Sequence, residues 1–214
     1  YGSGFADGTI PWEENRGIGM SFGINRIENI DDYRTNKELI FMLVDIVSRG
    51  GNLLLNIGPN ADGTIPVIMQ QRLLEIGNWL SVNGEGIYDT KQWIKDAQWS
   101  SGIIPSFTKN DFHAGFPIYE MTINPKKGNA VKEFWFTKKG NNLYVYTPEW
   151  PMNMNLLIED VKPTINTDVK LMGCEKSLPY TETRNGILID ISSITIHDLK
   201  SHYVFGFKLS NIKE

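Results

Sequence analysis

The 214-residue sequence holds one cysteine, Cys174, so no disulfide can close within the chain, and a single thiolate argues against a structural zinc site. Its three histidines, His113, His197 and His202, are scattered without the spacing that brings two ligands to one metal. No apolar run approaches the roughly 18 residues needed to cross a bilayer, so no membrane span is expected. Basic residues number 21 against 25 acidic ones, a net charge of −4 with no basic block, which argues against nucleic acid as a partner. Neither a G-x-S-x-G nucleophile elbow nor a G-x-x-x-x-G-K-[ST] phosphate loop occurs. The glycine-rich GIGMSFG at 17–23 lacks the dinucleotide fingerprint and reads as a loop at a strand end. No initiator methionine opens the sequence, which reads as a processed or partial chain.

What is present is an ordinary globular composition, 41% hydrophobic and 21% charged. The first half alternates loop, helix, strand and helix. Thr35 and Glu38 form a T-x-x-E capping box, followed by Leu39, Ile40, Leu43, Val44, Ile46 and Val47 on one helical face. Gly50 and Gly51 stop that helix. NLLLNIG at 52–58 is a short continuous apolar run, as in a strand covered on both faces of a parallel sheet. Pro66 then starts a second helix with Met69, Leu73, Ile76 and Leu80 inward, ended at Asn83-Gly84. The hexapeptide ADGTIP occurs at 6–11 and again at 61–66. One copy leads into a strand at Trp12 and the other into a helix, so the pair reads as shared Asp-Gly turn chemistry; a decayed internal repeat is the alternative.

From about Lys91 the texture changes to short β-rich runs. AVKEFWFTKKGNNLYVYTPEW at 130–150 reads as a hairpin about KKGNN, and LLIEDV, DVKLMG, NGILIDIS and SHYVFGFKL follow at short intervals. The expected architecture is α/β followed by all-β, with an antiparallel β-sandwich in the second half and a boundary within 89–99.

Carboxylates, amides and arginines concentrate in the first 62 residues, among them Glu13, Glu14, Arg16, Asn25, Glu28, Asn52 and Asn56. Beside Trp12 they make a mixture suited to a sugar, which offers an apolar face and a ring of hydroxyls. Any one of them taken alone is as readily solvated surface.

Three blocks sharpen this: PWEENRGIGMSFGINR, ELIFMLVDIVSRGGNLLLNIGPNADGTIP and QQRLLEIGNWLSVNGEGIYDT, in this order over about residues 11–90. Together they resemble the α-L-fucosidases of glycoside hydrolase family 29. The resemblance implies that 1–90 is the last part of a (β/α)8-like catalytic barrel and 91–214 a C-terminal β-sandwich. It implies a retaining exo-hydrolase acting on fucosylated oligosaccharides or glycoconjugates, with no cofactor, exported to periplasm or exterior, or lysosomal if eukaryotic. The family's nucleophile is an aspartate on an earlier barrel strand. Asp7 precedes Trp12 but sits in a D-G turn and does not match that motif, so the nucleophile is expected upstream, on a barrel segment outside this chain, and the chain alone is expected to be inactive. The resemblance points to Glu28, just after G-x-N-R, as general acid/base, with Glu14 and Glu13 as alternatives. It points to Arg16, Trp12 and Leu53 as substrate-binding residues, Arg16 on the ring side and Leu53 near the C6 methyl of fucose. The competing readings are an exposed loop glutamate for Glu28, a structural salt bridge for Arg16, barrel core for Leu53 and packing beneath the site for Trp12. A non-catalytic carbohydrate-binding or structural module is the alternative for the whole, and Trp93, Trp99, Trp135 and Trp150 could offer such a module an aromatic platform.

Overall fold

The structure, a computed structural model, describes residues 11–104 and 125–213. The first copy of ADGTIP, except Pro11, together with Asp7 and His113, lies outside the described residues. Strand β1 (Trp12–Gly17) leads through a long loop into helix α1 (Asn36–Ser48), strand β2 (Gly51–Asn56) and helix α2 (Val67–Asn83). Then follow β3 (Lys91–Trp99), β4 (Lys132–Lys139), β5 (Asn142–Thr147), β6 (Asn155–Glu159), β7 (Asp168–Leu171), β8 (Tyr180–Thr183), β9 (Gly186–Asp190) and β10 (Phe205–Ser210). Strands β1 and β2 pair in parallel, with Trp12 opposite Gly51 and Gly17 opposite Asn56. The remaining strands form a five-stranded sheet in the order β3-β4-β5-β10-β7 and a three-stranded sheet in the order β6-β9-β8.

Local chemistry explains the boundaries. The Thr35 hydroxyl accepts from the Glu38 amide and the Glu38 carboxylate accepts from the Thr35 amide, so two orphan donors at the start of α1 are satisfied. Gly50, at φ 78°, takes the left-handed conformation that ends α1. The second ADGTIP is a turn held by the Asp62 carboxylate, which accepts from the Thr64 amide at 3.0 Å, and Pro66 caps α2.

Two sheets facing each other bury Phe134, Phe136, Leu143 and Val145 against Leu156, Ile158, Ile187 and Ile189, which makes the second half a β-sandwich. The expected hairpin is β4–β5, with Gly140 at its turn. Strands β3 and β8 are additions to the sequence expectation, β3 running through residues read as a boundary. The expectation that 52–58 is covered on both faces needs correcting. Leu53 and Leu55 pack into the core while Leu54 is 47% exposed, because only two parallel strands are present among the described residues.

A second core cluster joins the halves. Leu39, Ile40 and Val44 of α1 and Trp79 of α2 pack with Trp135, Tyr144 and Tyr146 on the outer face of the five-stranded sheet. Polar contacts key this joint. The Trp79 indole donates to the Val204 carbonyl at 2.9 Å, Thr137 donates to the Gly86 carbonyl at 2.6 Å, and Tyr146 donates to the Asn83 carbonyl at 3.1 Å. The buried Asp45 of α1 accepts from Lys132 at 2.6 Å and from the Trp135 indole at 3.0 Å. Trp135 is thus core and not an exposed platform.

Two glycines give opposite expectations. A Cβ at Gly51 would run into the Trp12 ring, whereas a Cβ at Gly77, inside α2, meets nothing within 4 Å. Gly51→Ala should destabilise by about 1–3 kcal/mol through overpacking. Gly77→Ala should stabilise by about 0.4–1 kcal/mol through the unfolded state. Urea unfolding midpoints at unchanged slope check both.

Candidate active site

The loop from Ile18 to Arg34 folds over the C-terminal ends of β1 and β2. The Ile18 amide donates to the Asn56 carbonyl and the Gly23 amide to the Asn56 side-chain oxygen, each at 3.0 Å, while the Arg34 amide returns to the Ile18 carbonyl at 3.1 Å. Asn56 therefore ties the loop after β1 to the end of β2, as expected of an asparagine at that position. Gly58 has no room for a side chain, since its Cβ direction points into the backbone of Gly23 and Ile24. Asn52, at the other end of β2, reaches the Trp12 carbonyl at 3.4 Å.

Within the loop, Asn25 shapes the turn that delivers Glu28. Its side chain donates to the Ser21 hydroxyl at 3.0 Å and accepts from the Ile27 amide at 3.2 Å, and its carbonyl accepts from the Glu28 amide at 3.2 Å. Just beyond, the Asp32 carboxylate accepts from the Asn29 amide at 2.7 Å and closes the next turn. The Glu28 carboxylate is pressed against Gly19 and Tyr33: a Cβ on Gly19 would sit 3.0 Å from Glu28 Oε2 and 3.2 Å from the Tyr33 ring. Both Glu28 oxygens are shut off from solvent and neither has a hydrogen-bond partner. The Tyr33 hydroxyl lies just outside strict hydrogen-bond geometry, yet close enough that its pKa is raised, first by burial, then by hydrogen bonding toward the Glu28 carboxylate and by the Glu28 charge. An unsatisfied buried carboxylate is costly and calls for an explanation, which at functional sites is often a role in binding or proton transfer.

The other candidates divide by strand register. Trp12, Glu14 and Arg16 stand opposite Gly51, Leu53 and Leu55, on the side that packs into the core. Glu13 and Asn15 share the opposite, open side with Asn52 and Leu54. Arg16 Nε donates to Glu14 Oε1 at 2.5 Å, and both side chains are little exposed. Trp12 packs into the core, its indole donating to the Arg49 carbonyl at 3.3 Å beneath the Arg49 guanidinium, 5.7 Å from the ring. Leu53 is partly buried beside it. The structure thus couples Glu14 with Arg16, sets Glu13 on the other side, and carries Glu28 beyond the strand end. Tyr33 and Gly19, which enclose the Glu28 carboxylate, did not stand out in the sequence. A lone tyrosine two residues before a helix cap and one glycine among several carry no signal of their own. Among the described residues, no three potential ligands gather as a metal site.

Comparison with known proteins follows the same division. Residues 5–85 match the family model described as alpha-L-fucosidase, and residues 126–210 match the alpha-L-fucosidase C-terminal domain. The chain is 34% identical over 197 residues to the plasma alpha-L-fucosidase of Homo sapiens, covering 90% of this chain and 36% of that protein. It is 33% identical over 210 residues to the alpha-L-fucosidase of Dictyostelium discoideum, covering 94% and 38%. The crystal structure of Thermotoga maritima alpha-fucosidase in complex with fucose superposes with a TM-score of 0.69 at 29% identity, over 94% of this chain and 40% of that one. The chain therefore spans less than half the length of the relatives it matches.

Proposed function

The chain belongs to the α-L-fucosidase family, and we propose that it forms the C-terminal portion of a retaining exo-α-L-fucosidase that removes terminal α-L-fucosyl units from oligosaccharides or glycoconjugates. Residues 1–90 are read as the last part of a (β/α)8-like barrel and 91–214 as its C-terminal sandwich. The reading is supported by the family matches over both halves. It is carried at the site by one observation: a carboxylate withdrawn from water, with only the Tyr33 hydroxyl near it, on a loop over the C-terminal ends of parallel strands, which is where α/β barrels hold their chemistry.

In this proposal Glu28 is the general acid/base. It protonates the leaving oxygen while a second carboxylate attacks the anomeric carbon, and it then takes the proton from the water that releases fucose. The nucleophile is an aspartate on a barrel strand outside these residues, brought to about 5–5.5 Å from Glu28, the spacing retention requires. Arg16 contacts the ring side of the sugar. A guanidinium has five donors and can serve Glu14 and a sugar oxygen together. Leu53 borders the C6 methyl and Trp12 supports both from beneath. Glu14 and Glu13 are the alternative proton donors. The partner that completes the site is the rest of the barrel, which would also cover the open face at Leu54. The protein is proposed to be exported. In support, one relative is named a plasma enzyme.

The test is hydrolysis of an aryl α-L-fucoside by this chain alone and by the chain preceded by its barrel segment. Turnover only in the longer protein is expected. Turnover by the chain alone would overturn the placement of the nucleophile. No turnover by either would favour the alternative, a non-catalytic carbohydrate-binding or structural module.

A further inference from the structure

Away from the strand ends, the sandwich holds a cleft of about 650 Å³ between the edge strands of its two sheets, where β3 and the start of β4 face β6 and the segment after β5. The wall is braced. The Gln98 amide donates to the Leu157 carbonyl at 2.9 Å and accepts from the Glu159 amide at 3.0 Å, which ties edge strand β3 to edge strand β6. Two tryptophans line it, Trp99 and Trp150. Trp150 stands edge-on to Phe205 with ring centroids 5.1 Å apart, so its orientation is set by the core.

The charges that remain uncommitted in the cleft are negative. Lys132, on its wall, is neutralised by Asp45 at 2.6 Å and Asp96 at 3.2 Å. Glu149 is paired with Lys37 at 3.3 Å. Glu133 and Glu159 are exposed, line the cleft and have no hydrogen bond or ion pair to their carboxylates among the described residues. Asn155 adds an amide to the lining.

We propose that this cleft binds a neutral oligosaccharide. Fixed aromatic surface with carboxylate acceptors suits a ligand that has apolar C–H faces and many hydroxyl donors. Hydroxyl-to-carboxylate bonds are the strong, charge-assisted kind. The volume lies within the roughly 300–1,000 Å³ of small-molecule sites, room for a short oligosaccharide. The unpaired glutamates repel sialylated or sulfated glycans. A cationic ligand is disfavoured at Trp99, because the Lys132 ammonium already stands 5.2 Å from that ring. The inference uses no residue of β1 or β2 and stands whether or not the hydrolytic reading does.

Titration of the chain, followed by tryptophan fluorescence, is the test, with 2′-fucosyllactose, 3′-sialyllactose and choline as probes. Saturable binding of the neutral trisaccharide is expected, with the sialylated one at least about tenfold weaker. The double substitution Glu133→Gln, Glu159→Gln should weaken the neutral sugar about tenfold or more, as loss of hydrogen bonds to charged acceptors does. It keeps the shape of the cleft, so the circular dichroism spectrum should not change; Trp150→Ala should reduce the fluorescence response, leaving the part reported by Trp99. Absence of saturation at tens of millimolar, binding indifferent to the double substitution, or preference for choline would each overturn the proposal.

Discussion

Replacing Asp45 by alanine should lower the thermal unfolding midpoint by on the order of 10 °C. Asp45 is 3% exposed, on the face of α1 turned toward the sandwich. Its carboxylate accepts from Lys132 and from the Trp135 indole, and Arg49 stands 3.7 Å away. Alanine would strand the Lys132 ammonium, itself 6% exposed, with only the more exposed Asp96 as partner. Breaking a buried pair from one side costs about 3–5 kcal/mol, whereas replacing both members by apolar residues is often neutral. At about 2–4 °C per kcal/mol for a chain of this size the midpoint shift follows. The double variant Asp45→Leu, Lys132→Met should recover most of the loss. A single-variant loss below about 1 kcal/mol would show that the network contributes little.

The same carboxylate sets an acid limit. Burial alone would raise its pKa, but the charges of Lys132 and Arg49 and the hydrogen bonds from Lys132 and Trp135 outweigh burial and hold it below the usual aspartate value. A folded-state pKa below the unfolded one stabilises the fold above the unfolded value, about 3.9. That contribution is lost as the pH falls through the folded-state pKa. Unfolding on acidification should therefore set in below about pH 4, and Asp45→Asn should lack this component.

Glu28→Gln, made in the longer protein that includes the rest of the barrel, is expected to cut turnover of natural fucosides by about 10²–10⁴, the usual contribution of a general acid. The substitution is isosteric, and a glutamine oxygen can still face the Tyr33 hydroxyl, so folding should be unaffected. Bond cleavage in an activated aryl fucoside needs little protonation of the leaving group, so its first step should fall by less than about tenfold. Release of the fucosyl enzyme should then become limiting, and azide, which needs no general base, should restore it. An equal loss on both substrates would remove Glu28 from the acid role and turn attention to Glu14, whose pairing with Arg16 makes it the less available donor.

Much of the architecture could be read from residue spacing, since it rests on local rules. The Thr35–Glu38 box, the glycine stop at 50, Pro66 before α2 and the β4–β5 hairpin are each decided within a few residues. What could not be read that way depends on distant partners. Strand β3 carries Trp93, Lys95 and Gln98 without clean alternation, and its register against β4 shifts twice. Which side of β1 meets the core is settled by β2 and α1, some 40 residues on, so Glu13 and Glu14 look equivalent in sequence and lie on opposite sides in space. The environment of Glu28 was equally hidden, since Gly19 and Tyr33 acquire meaning only once the loop has closed.

The joint between the halves bears on inheritance. With Trp135, Tyr144 and Tyr146 facing α1 and α2 and not water, the sandwich is no detachable module that recombination could move freely from one enzyme to another. A gene split near residue 90 would leave a large aromatic surface bare on one product and a helix with a buried aspartate lacking its counter-ion on the other. Lineages that keep one piece should keep both.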